Sequence, residues 1–430
     1  MFLNKVESPK IKLAQESFRR CVEFYLTTCI SRTAFPDCGR ARIRLACSVN
    51  NSLPTGQPVN ERLIMQTADA LQPGGTAAVP ASNGPGGEPT AWKKIVLKYQ
   101  QPSWWRGSLQ LITSLVPLAV LWYLIHLTLA WSWWATLPLV VLGAGFMVRL
   151  FIIHHDCGHG SFFKSPTAND AWGYLTGVLT FTPYQLWRQE HAIHHSASGD
   201  LDRRGAGSLW TMTVQEYLAA PRWERLAYRL MRNPGVLFVV GPLFLFVVQQ
   251  RFCPRQADWR ARRSVYLTNL GIVGMAIGMS AIFGFKAYLV VQLTMILIAG
   301  SAGVWLFYVQ HQFEGVYWQR HGEWDYVAAA LQGSSFYKLP AILQWFSGNI
   351  GFHHIHHLSP RIPNYNLARC HDAEPLFQTV PPITLLASLK SLGFHLWDEE
   401  RQRLVGFGHL RHLRRRKKFQ GIKPSCGSVG

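Results

Sequence analysis

Three short histidine boxes are the residues of this sequence with the clearest capacity for chemistry. They are HHDCGH at 154–159, HAIHH at 191–195 and HHIHH at 353–357, and His311 follows a long apolar segment. Imidazole is a ligand that Zn, Cu, Fe and Ni accept. Polar clusters that recur beside apolar segments need a common cause, so this pattern predicts metal binding.

The spacing inside each box fits an α-helix. Residues i, i+3 and i+4 share one helix face, and we expect each box to aim its imidazoles at one point. His154 and His354 break this spacing and are interpreted as structural residues. The predicted metal ligands are His155, His159, His191, His194, His195, His311, His353, His356 and His357. Nine imidazoles are enough for two ions with four or five ligands each.

The donor set narrows the choice of metal. A single zinc site uses three or four protein ligands, and the zinc protease motif HExxH is absent from the sequence. The Glu-x-x-His pairs of soluble di-iron bundles are absent as well. We therefore interpret the boxes as a histidine-rich site for two iron ions on a membrane scaffold.

Long uncharged segments predict that scaffold. The chain is 48% hydrophobic and 15% charged, whereas soluble domains carry about 25% charged residues. Residues 107–148, 264–285 and 287–313 contain no Asp, Glu, Lys or Arg, and a span needs roughly 20 apolar residues. We predict an all-α integral membrane protein with a cytosolic helical cap that carries the metal site. Its four transmembrane helices are placed at about 108–129, 134–153, 266–285 and 288–309.

Basic residues mark one side of the predicted membrane domain. The formal net charge is +20, and arginine is dense in 222–263 and again in the basic run 411–418. Cytoplasmic loops collect Lys and Arg, so these segments indicate topology or contacts with anionic lipid rather than a nucleic-acid partner. The apolar stretch 234–250 has arginine on both flanks and is interpreted as re-entrant or interfacial, and 171–187 is also short for a span.

Four segments resemble the membrane fatty acid desaturases, in particular the acyl-lipid omega-6 (delta-12) type of bacteria and plastids. They are HDCGHGSFF, WRQEHAIHH, VQHQFEGVYW and GNIGFHHIHHLSPRIPNYNL, and the resemblance runs from about Trp92 to about Leu392. It implies two non-haem iron ions as cofactors, O₂ as co-substrate, and the nine histidines above as ligands. It also implies an integral protein of the bacterial inner (plasma) membrane with its active site facing the cytoplasm.

The implied reaction introduces a cis double bond into an acyl chain of a membrane glycerolipid or other acyl substrate. An unactivated methylene has no acidity, so a base cannot remove its hydrogen, whereas a metal with O₂ supplies a radical route. Two electrons must come from an external donor such as ferredoxin or cytochrome b5. A fused haem domain is not expected, because QPGG at 72–75 has Gln72 where such a domain has histidine.

Some side chains beside the boxes are predicted to accept hydrogen bonds from the ligating histidines and so to orient them, as groups outside the ligand set do at metal sites. These are Asp156, Glu190, Glu314 and Asn349. The candidates for lining a substrate path are Trp187, Trp210 and Trp345. Packing is the alternative for each of them, and it is the more common role of aromatic residues in membrane proteins.

Composition divides the chain into three parts. Residues 1–90 are interpreted as a disordered or non-native extension, with Met65 as a possible start, 91–395 as the membrane domain, and 396–430 as a basic cytosolic tail. Two other functions stay open. A related histidine-box hydroxylase, ketolase or alkane monooxygenase would add oxygen instead, and a metal transporter would place histidines inside its spans.

Overall fold

The computed structural model describes residues 91–205 and 208–412. The proposed extension 1–90, with Met65, and residues 413–430 of the predicted tail lie outside the described residues. The helices are α1 Ala91–Leu97, α2 Trp104–Leu129, α3 Trp133–Gly158, α4 Pro166–Leu179, α5 Tyr184–Ala197, α6 Val214–Ala219, α7 Arg222–Met231, α8 Trp259–Phe283, α9 Phe285–His311, α10 Tyr326–Gln332, α11 Ala341–Phe346, α12 His353–Leu358, α13 Asn364–Ala373, α14 Pro375–Gln378 and α15 Leu385–Ser388. The strands are β1 Met212–Thr213, β2 Phe336–Lys338, β3 Pro382–Thr384, β4 Leu396–Asp398 and β5 Arg403–Val405.

Helices α2, α3, α8 and α9 are long and apolar enough to cross a membrane, which confirms the four predicted spans. The side chains of Ser103, Ser132 and Asp258 cap the first turns of α2, α3 and α8, where the free backbone N–H groups need acceptors. Gly284 joins α8 to α9 with a φ of 82°, a left-handed conformation that glycine adopts at no steric cost. The chain is therefore a mostly helical integral membrane protein.

Two spanning helices continue further than the sequence predicts, and both do so at the histidine end. The sequence places their ends near residues 153 and 309, whereas α3 continues to Gly158 and α9 to His311. The last turns are held by protein contacts instead of lipid, since His155 and Val309 are buried. The histidines of the first box are thus carried rigidly on a spanning helix.

The spanning helices pack closely around one apolar core. Leu121 of α2, Leu150 of α3 and Met295 of α9 belong to the same buried cluster. At Gly143 of α3 a Cβ atom would lie 2.4 Å from the Met295 Cε, so a larger residue there would displace the Met295 side chain from its present position. Because α3 and α9 both end in site histidines, their packing sets the spacing between those histidines.

The apolar stretch 234–250 forms an irregular helical segment. It runs through Val236–Val240, Gly241–Leu243, Phe244–Val248 and Gln249–Arg251. The segment meets α7 at a bend of 64°, and the pair is either one broken span or a re-entrant loop, which makes the number of spans four or five. The other short stretch, 171–187, is divided between α4 and α5 and forms no span.

Short strands join distant parts of the cap, an arrangement that the all-helical prediction did not include. Strand β4 pairs with β1 in parallel and with β5 in antiparallel orientation, while β2 pairs with β3 in parallel. Trp397 on β4 is only 1% exposed. Residues 396–412 were assigned to the basic tail, but the structure extends the folded domain beyond residue 395. Strands of three residues are too short to leave a readable alternation in the sequence.

Candidate metal centre

Four helices bring the nine predicted ligands together. The last turn of α3 carries His155, and His159 caps its C-terminus. The second box lies on α5, the third box forms α12, and His311 ends α9. The contact of His155 with His356 joins residues that are 201 positions apart in the sequence. Tertiary packing is therefore what creates the site.

Five of the histidines form one group, called here the five-histidine site. Its members are His155, His159, His191, His195 and His356, whose candidate ligand nitrogens all lie within 4.8 Å of one another. The Nε2 atom of His356 lies 3.0 Å from the Nε2 atoms of both His155 and His195. His159 and His191 are partly exposed, so the edge of this site contacts solvent, although the His159 Nε2 itself is buried.

The other four histidines form a separate group, the four-histidine site. Its members are His194, His311, His353 and His357, again with candidate ligand nitrogens within 4.8 Å of one another. The Nε2 atom of His311 lies 3.1 Å from the Nε2 atoms of both His194 and His353. All four side chains are buried.

The expectation that each box aims at one point is wrong for the second and third boxes. His191 and His195 belong to the five-histidine site and His194 to the other, while His353 and His357 belong to the four-histidine site and His356 does not. The reason is helix geometry. At about 100° per residue, position i+4 lies about 40° from position i, whereas i+3 lies about 60° away on the other side. One helix turn can therefore serve two adjacent sites.

The residues present fit metal ions at both sites. Two imidazole nitrogens that bind one ion at about 2.1 Å and at right angles are about 3 Å apart, which matches the spacings above. The Nε2 atoms of His159 and His357 are buried and have no hydrogen-bond partner. A buried polar atom without a partner is costly, and a metal ion at the centre of each group would remove that cost.

The protonation state also suits ligation. Burial, together with neighbouring imidazoles, lowers the pKa of the site histidines outside the spanning helices well below 6.5. These histidines are His159, His191, His194, His195, His353, His356 and His357. They are therefore neutral near pH 7, and the neutral imidazole is the form that binds metals.

One of the four predicted supporting residues contacts a site histidine directly. The Oδ1 atom of Asp156 accepts a hydrogen bond from His155 Nδ1 at 3.0 Å, and its Oδ2 atom accepts from the backbone N and the Nδ2 of Asn364 at 2.6 and 2.9 Å. This series of hydrogen bonds from Asn364 through Asp156 orients the His155 ring with its Nε2 toward the other histidines. Asn364 was missed by the sequence analysis, although it lies in the quoted segment that follows the third box.

The other three predicted supporting residues lie further from the histidines. Asn349 has a φ of 60° and donates its Nδ2 to the Asn364 carbonyl at 3.2 Å, so it acts one step behind Asp156. Glu190 makes no hydrogen bond to a site histidine within the described ranges, and burial raises the pKa of its carboxyl to about 7. Glu314 is 77% exposed and lies 3.7 Å from the Lys390 Nζ, on the protein surface.

Aromatic side chains and backbone groups complete the surroundings. Trp187 stacks on His191 at 4.3 Å between ring centroids, and Phe307 lies 5.1 Å from His194. His311 Nδ1 lies 3.2 Å from the Gly333 carbonyl, which turns its Nε2 toward the four-histidine site. Neither Phe307 nor Gly333 was singled out from the sequence, because nothing local marks them.

The two other candidate tryptophans lie away from the histidines. The Arg149 guanidinium packs over the Trp345 ring at 3.8 Å and donates to the Trp345 carbonyl, while Trp210 packs against Tyr228 at 5.0 Å in the cap. His154, whose Nδ1 lies 3.0 Å from the Gly173 carbonyl, and His354 both lie outside the two sites, as their spacing predicted.

A bundle of four long apolar helices with two histidine sites at its helix ends indicates a membrane metalloenzyme, and the comparisons with known proteins agree. The family model described as fatty acid desaturase matches residues 131–382. A protein of Bacillus subtilis named fatty acid desaturase is 49% identical over 320 residues, which cover 74% of this chain and 91% of that protein. The chain belongs to the fatty acid desaturase family, and it is an oxidoreductase.

More distant relatives carry more detailed names. An sn-1 acyl-lipid omega-3 desaturase (ferredoxin) of Nostoc is 29% identical over 259 residues, covering 56% of this chain and 67% of that protein. An sn-1 oleoyl-lipid 12-desaturase of Synechocystis is 27% identical over 259 residues, covering 58% of this chain and 68% of that protein. At these identities, substrate and bond position are properties of the relatives and do not transfer with family membership.

Proposed function

We propose that this chain is an O₂-dependent desaturase that introduces a cis double bond into acyl chains of membrane lipids, with one iron ion in each histidine site. The observation that carries the proposal is the division of nine histidines into groups of five and four, each with its nitrogens within 4.8 Å of one another. Imidazole ligands suit iron. Two ions held side by side match the demand of a reaction that moves four electrons to O₂.

The residues of the chain would bind, orient and exclude water. Iron held by the two sites supplies, together with O₂ and two external electrons, the oxidising capacity that removes two hydrogens from neighbouring methylenes. Asp156 fixes the ring of His155, and the Gly333 carbonyl fixes that of His311. Trp187 and Phe307 pack against site histidines and keep water from the reacting carbons.

For the position of the double bond we propose the delta-12 or omega-6 carbon pair. The support is the sequence flanking the boxes, HDCGH and VQHQFEG, and the Synechocystis relative named as a 12-desaturase. The Nostoc relative, of similar identity, is named for the omega-3 position, and the name of the Bacillus relative states no position. Product analysis is therefore the direct test of this part of the proposal.

We propose ferredoxin or a similar small acidic protein as the electron donor and a bacterial plasma membrane, with the histidine sites on the cytoplasmic side, as the location. The Nostoc relative is named as using ferredoxin. The arginine-rich segment 222–263 begins with α7, whose Tyr228 packs against Leu396 of the cap strands, and cytoplasmic segments are rich in Lys and Arg. An acidic donor would be steered to such a surface by its charge.

The test is expression of the chain in a bacterial host whose lipids hold only saturated and monounsaturated acyl chains. We expect new double bonds, located by mass spectrometry of the lipids, at the delta-12 or omega-6 position. A mass gain of about 16 units, without loss of two, would indicate hydroxylation, since the two reactions share this cofactor chemistry. A variant with Ala at both His194 and His356 is the matched negative control.

A further inference from the structure

Helix α7, Arg222–Met231, presents three different faces. Glu224, Ala227 and Tyr228 are buried against the cap. Trp223, Leu226 and Leu230 form an exposed apolar face, each between 47% and 58% exposed. The third face carries Arg222, Arg225 and Arg229, at the spacing i, i+3 and i+7 that aligns side chains along a helix.

The arginine face borders an open groove of about 600 Å³ between α7 and the C-terminal part of the cap. Arg411 adds a fourth guanidinium from the opposite wall, beside Tyr217 and Phe407, and no carboxylate lines the groove. The only acidic residue of α7, Glu224, is buried on another face. Among the described residues, none of these four arginines forms an ion pair with a carboxylate.

One side chain of the groove is preorganised by contacts within the protein. The Nε of Arg229 donates to the Tyr217 hydroxyl at 2.7 Å, and its guanidinium lies 4.8 Å from the centre of the Phe407 ring. Arg229 is therefore held in place, while Arg222 and Arg411 are exposed and able to close on a ligand. Converging guanidinium groups without a counter-charge favour a phosphate, which accepts paired hydrogen bonds from arginine.

The position of the groove near the membrane surface indicates which class of phosphate compound it would bind. The exposed apolar face of α7 adjoins it. Helix α7 also leads into the apolar segment Val236–Arg251, and together the two have the length and composition of a broken span or a re-entrant loop. A basic helix with such an apolar face lies in the membrane interface. Headgroup phosphates occupy the same layer, and each nearby arginine adds to the attraction for anionic lipid.

We propose that this groove binds the phosphate of an anionic glycerolipid, with Arg222, Arg225, Arg229 and Arg411 as its contacts. The site contains none of the nine histidines, so it is independent of the metal chemistry. A bound lipid would hold α7 at the membrane surface, and the cap strands that adjoin it would be anchored with it.

The experiment uses the full chain purified in a non-ionic detergent. Phosphatidylglycerol and phosphatidylcholine with the same acyl chains are titrated separately, and bound lipid is counted by native mass spectrometry. The test variant is Arg222→Gln with Arg225→Gln. The matched control is Arg260→Gln with Arg263→Gln, which removes the same charge from exposed positions at the start of α8. Arg411→Gln, on a different element, serves as a second test if the first variant unfolds.

We expect phosphatidylglycerol to bind more tightly than phosphatidylcholine, and the test variant to bind it about 30-fold more weakly. The control should bind as the unaltered chain does. Equal binding of the two lipids, or normal binding by the test variant, would overturn the proposal. So would displacement of the lipid by equimolar inorganic phosphate, which would indicate a site for free phosphate. Normal lipid binding with lost ferredoxin-dependent turnover would assign the groove to an acidic protein instead.

Discussion

The two histidine sites are made by the same helices but differ in their access to solvent. Helices α5 and α12 contribute to both, yet the five-histidine site includes the partly exposed His159 and His191, whereas every member of the four-histidine site is buried. The difference arises from the third element of each site. The five-histidine site is completed by His155 and His159 at the C-terminal end of α3, and the four-histidine site by His311, whose Nδ1 lies 3.2 Å from the Gly333 carbonyl.

The sites also differ in what holds their ligands. The Nδ1 atom of His155 is hydrogen-bonded to the carboxylate of Asp156, whereas the Nδ1 atom of His311 is hydrogen-bonded to the neutral carbonyl of Gly333. A carboxylate makes the imidazole a stronger donor to a metal than a carbonyl does. The five-histidine site thus combines greater exposure with a carboxylate hydrogen-bonded to one of its ligands, so two ions bound by this protein would sit in unequal environments.

The largest expected effect comes from removing one ligand from either site. His356→Ala should empty the five-histidine site and His357→Ala the other, because a buried site short of one ligand also leaves its remaining imidazoles unpaired. We expect desaturation to fall at least about 100-fold in both, beyond the loss typical of outer partners. Bound iron, measured by plasma mass spectrometry, should fall by about half.

The control for this pair is His126→Ala, which alters an exposed histidine outside both sites. It should retain activity and iron. If His356→Ala and His357→Ala both lost all of the iron, the two sites would be one cooperative unit, and the division into separate sites would fail.

The next largest effect is expected from the Asp156 carboxylate, which is hydrogen-bonded to a ligand of only one of the two sites. Asp156→Asn removes the carboxylate behind His155 and should lower iron affinity at the five-histidine site by about 10- to 100-fold. The four-histidine site should be unaffected, so iron titrations followed by absorbance should show one weakened and one unchanged step. Glu314→Gln is the matched control, since its carboxylate is exposed on the surface. An equal loss in both steps would contradict separate anchoring.

Exposure should control how quickly each site releases its metal. With a hydrophilic chelator, iron should leave in two phases, and the faster phase should come from the five-histidine site because His159 and His191 are partly exposed. We expect the rates to differ by roughly tenfold, or about 1.4 kcal/mol in opening free energy. His159→Gln should abolish the fast phase. A single phase in the unaltered protein would show that both sites open together.

The smallest effect concerns pH. Burial lowers the pKa of His159 and His357, like that of the other site histidines outside the spans, whereas histidine in an unfolded chain titrates near 6.5. Below about pH 6.5 the unfolded chain binds protons that the folded chain does not, so the free energy of unfolding falls as pH decreases. The contribution of the neutral histidines to the free energy of unfolding is fully present well above that pH.

The measurement is the unfolding temperature of metal-stripped protein at pH 7.5, 6.5 and 5.5. It should fall moderately between the first two values, because the histidines of the unfolded chain are about half protonated at pH 6.5, and more steeply between the second and the third. His357→Gln removes one of the titrating groups and should make the decrease smaller. An unfolding temperature that rises as the pH falls would contradict neutral, buried histidines.

Much of the site was predictable because its residue types are rare in membranes and regularly spaced. Helical spacing identified His191 and His195 as partners, and the interruption at His354 excluded that residue, in agreement with the two sites. Asn364, Phe307 and the Gly333 carbonyl were not identified, since their role follows only from where the chain returns in space. Glu314 lies near His311 in sequence, yet α9 ends between them and its side chain turns to the surface.

The membrane-spanning bundle and the metal-binding chemistry can be read from the sequence alone. Long uncharged segments form helices in lipid because every backbone polar group there must be hydrogen-bonded within the segment, and clustered imidazoles indicate a shared metal. The assignment of each histidine to one of the two sites follows only from the tertiary structure. A helix spreads positions i+3 and i+4 over about 100°, and only the packing of α3, α5, α9 and α12 determines which neighbour each direction meets. The folded cap strands beyond residue 395 were decided in the same way, since three-residue strands exist only through their pairing.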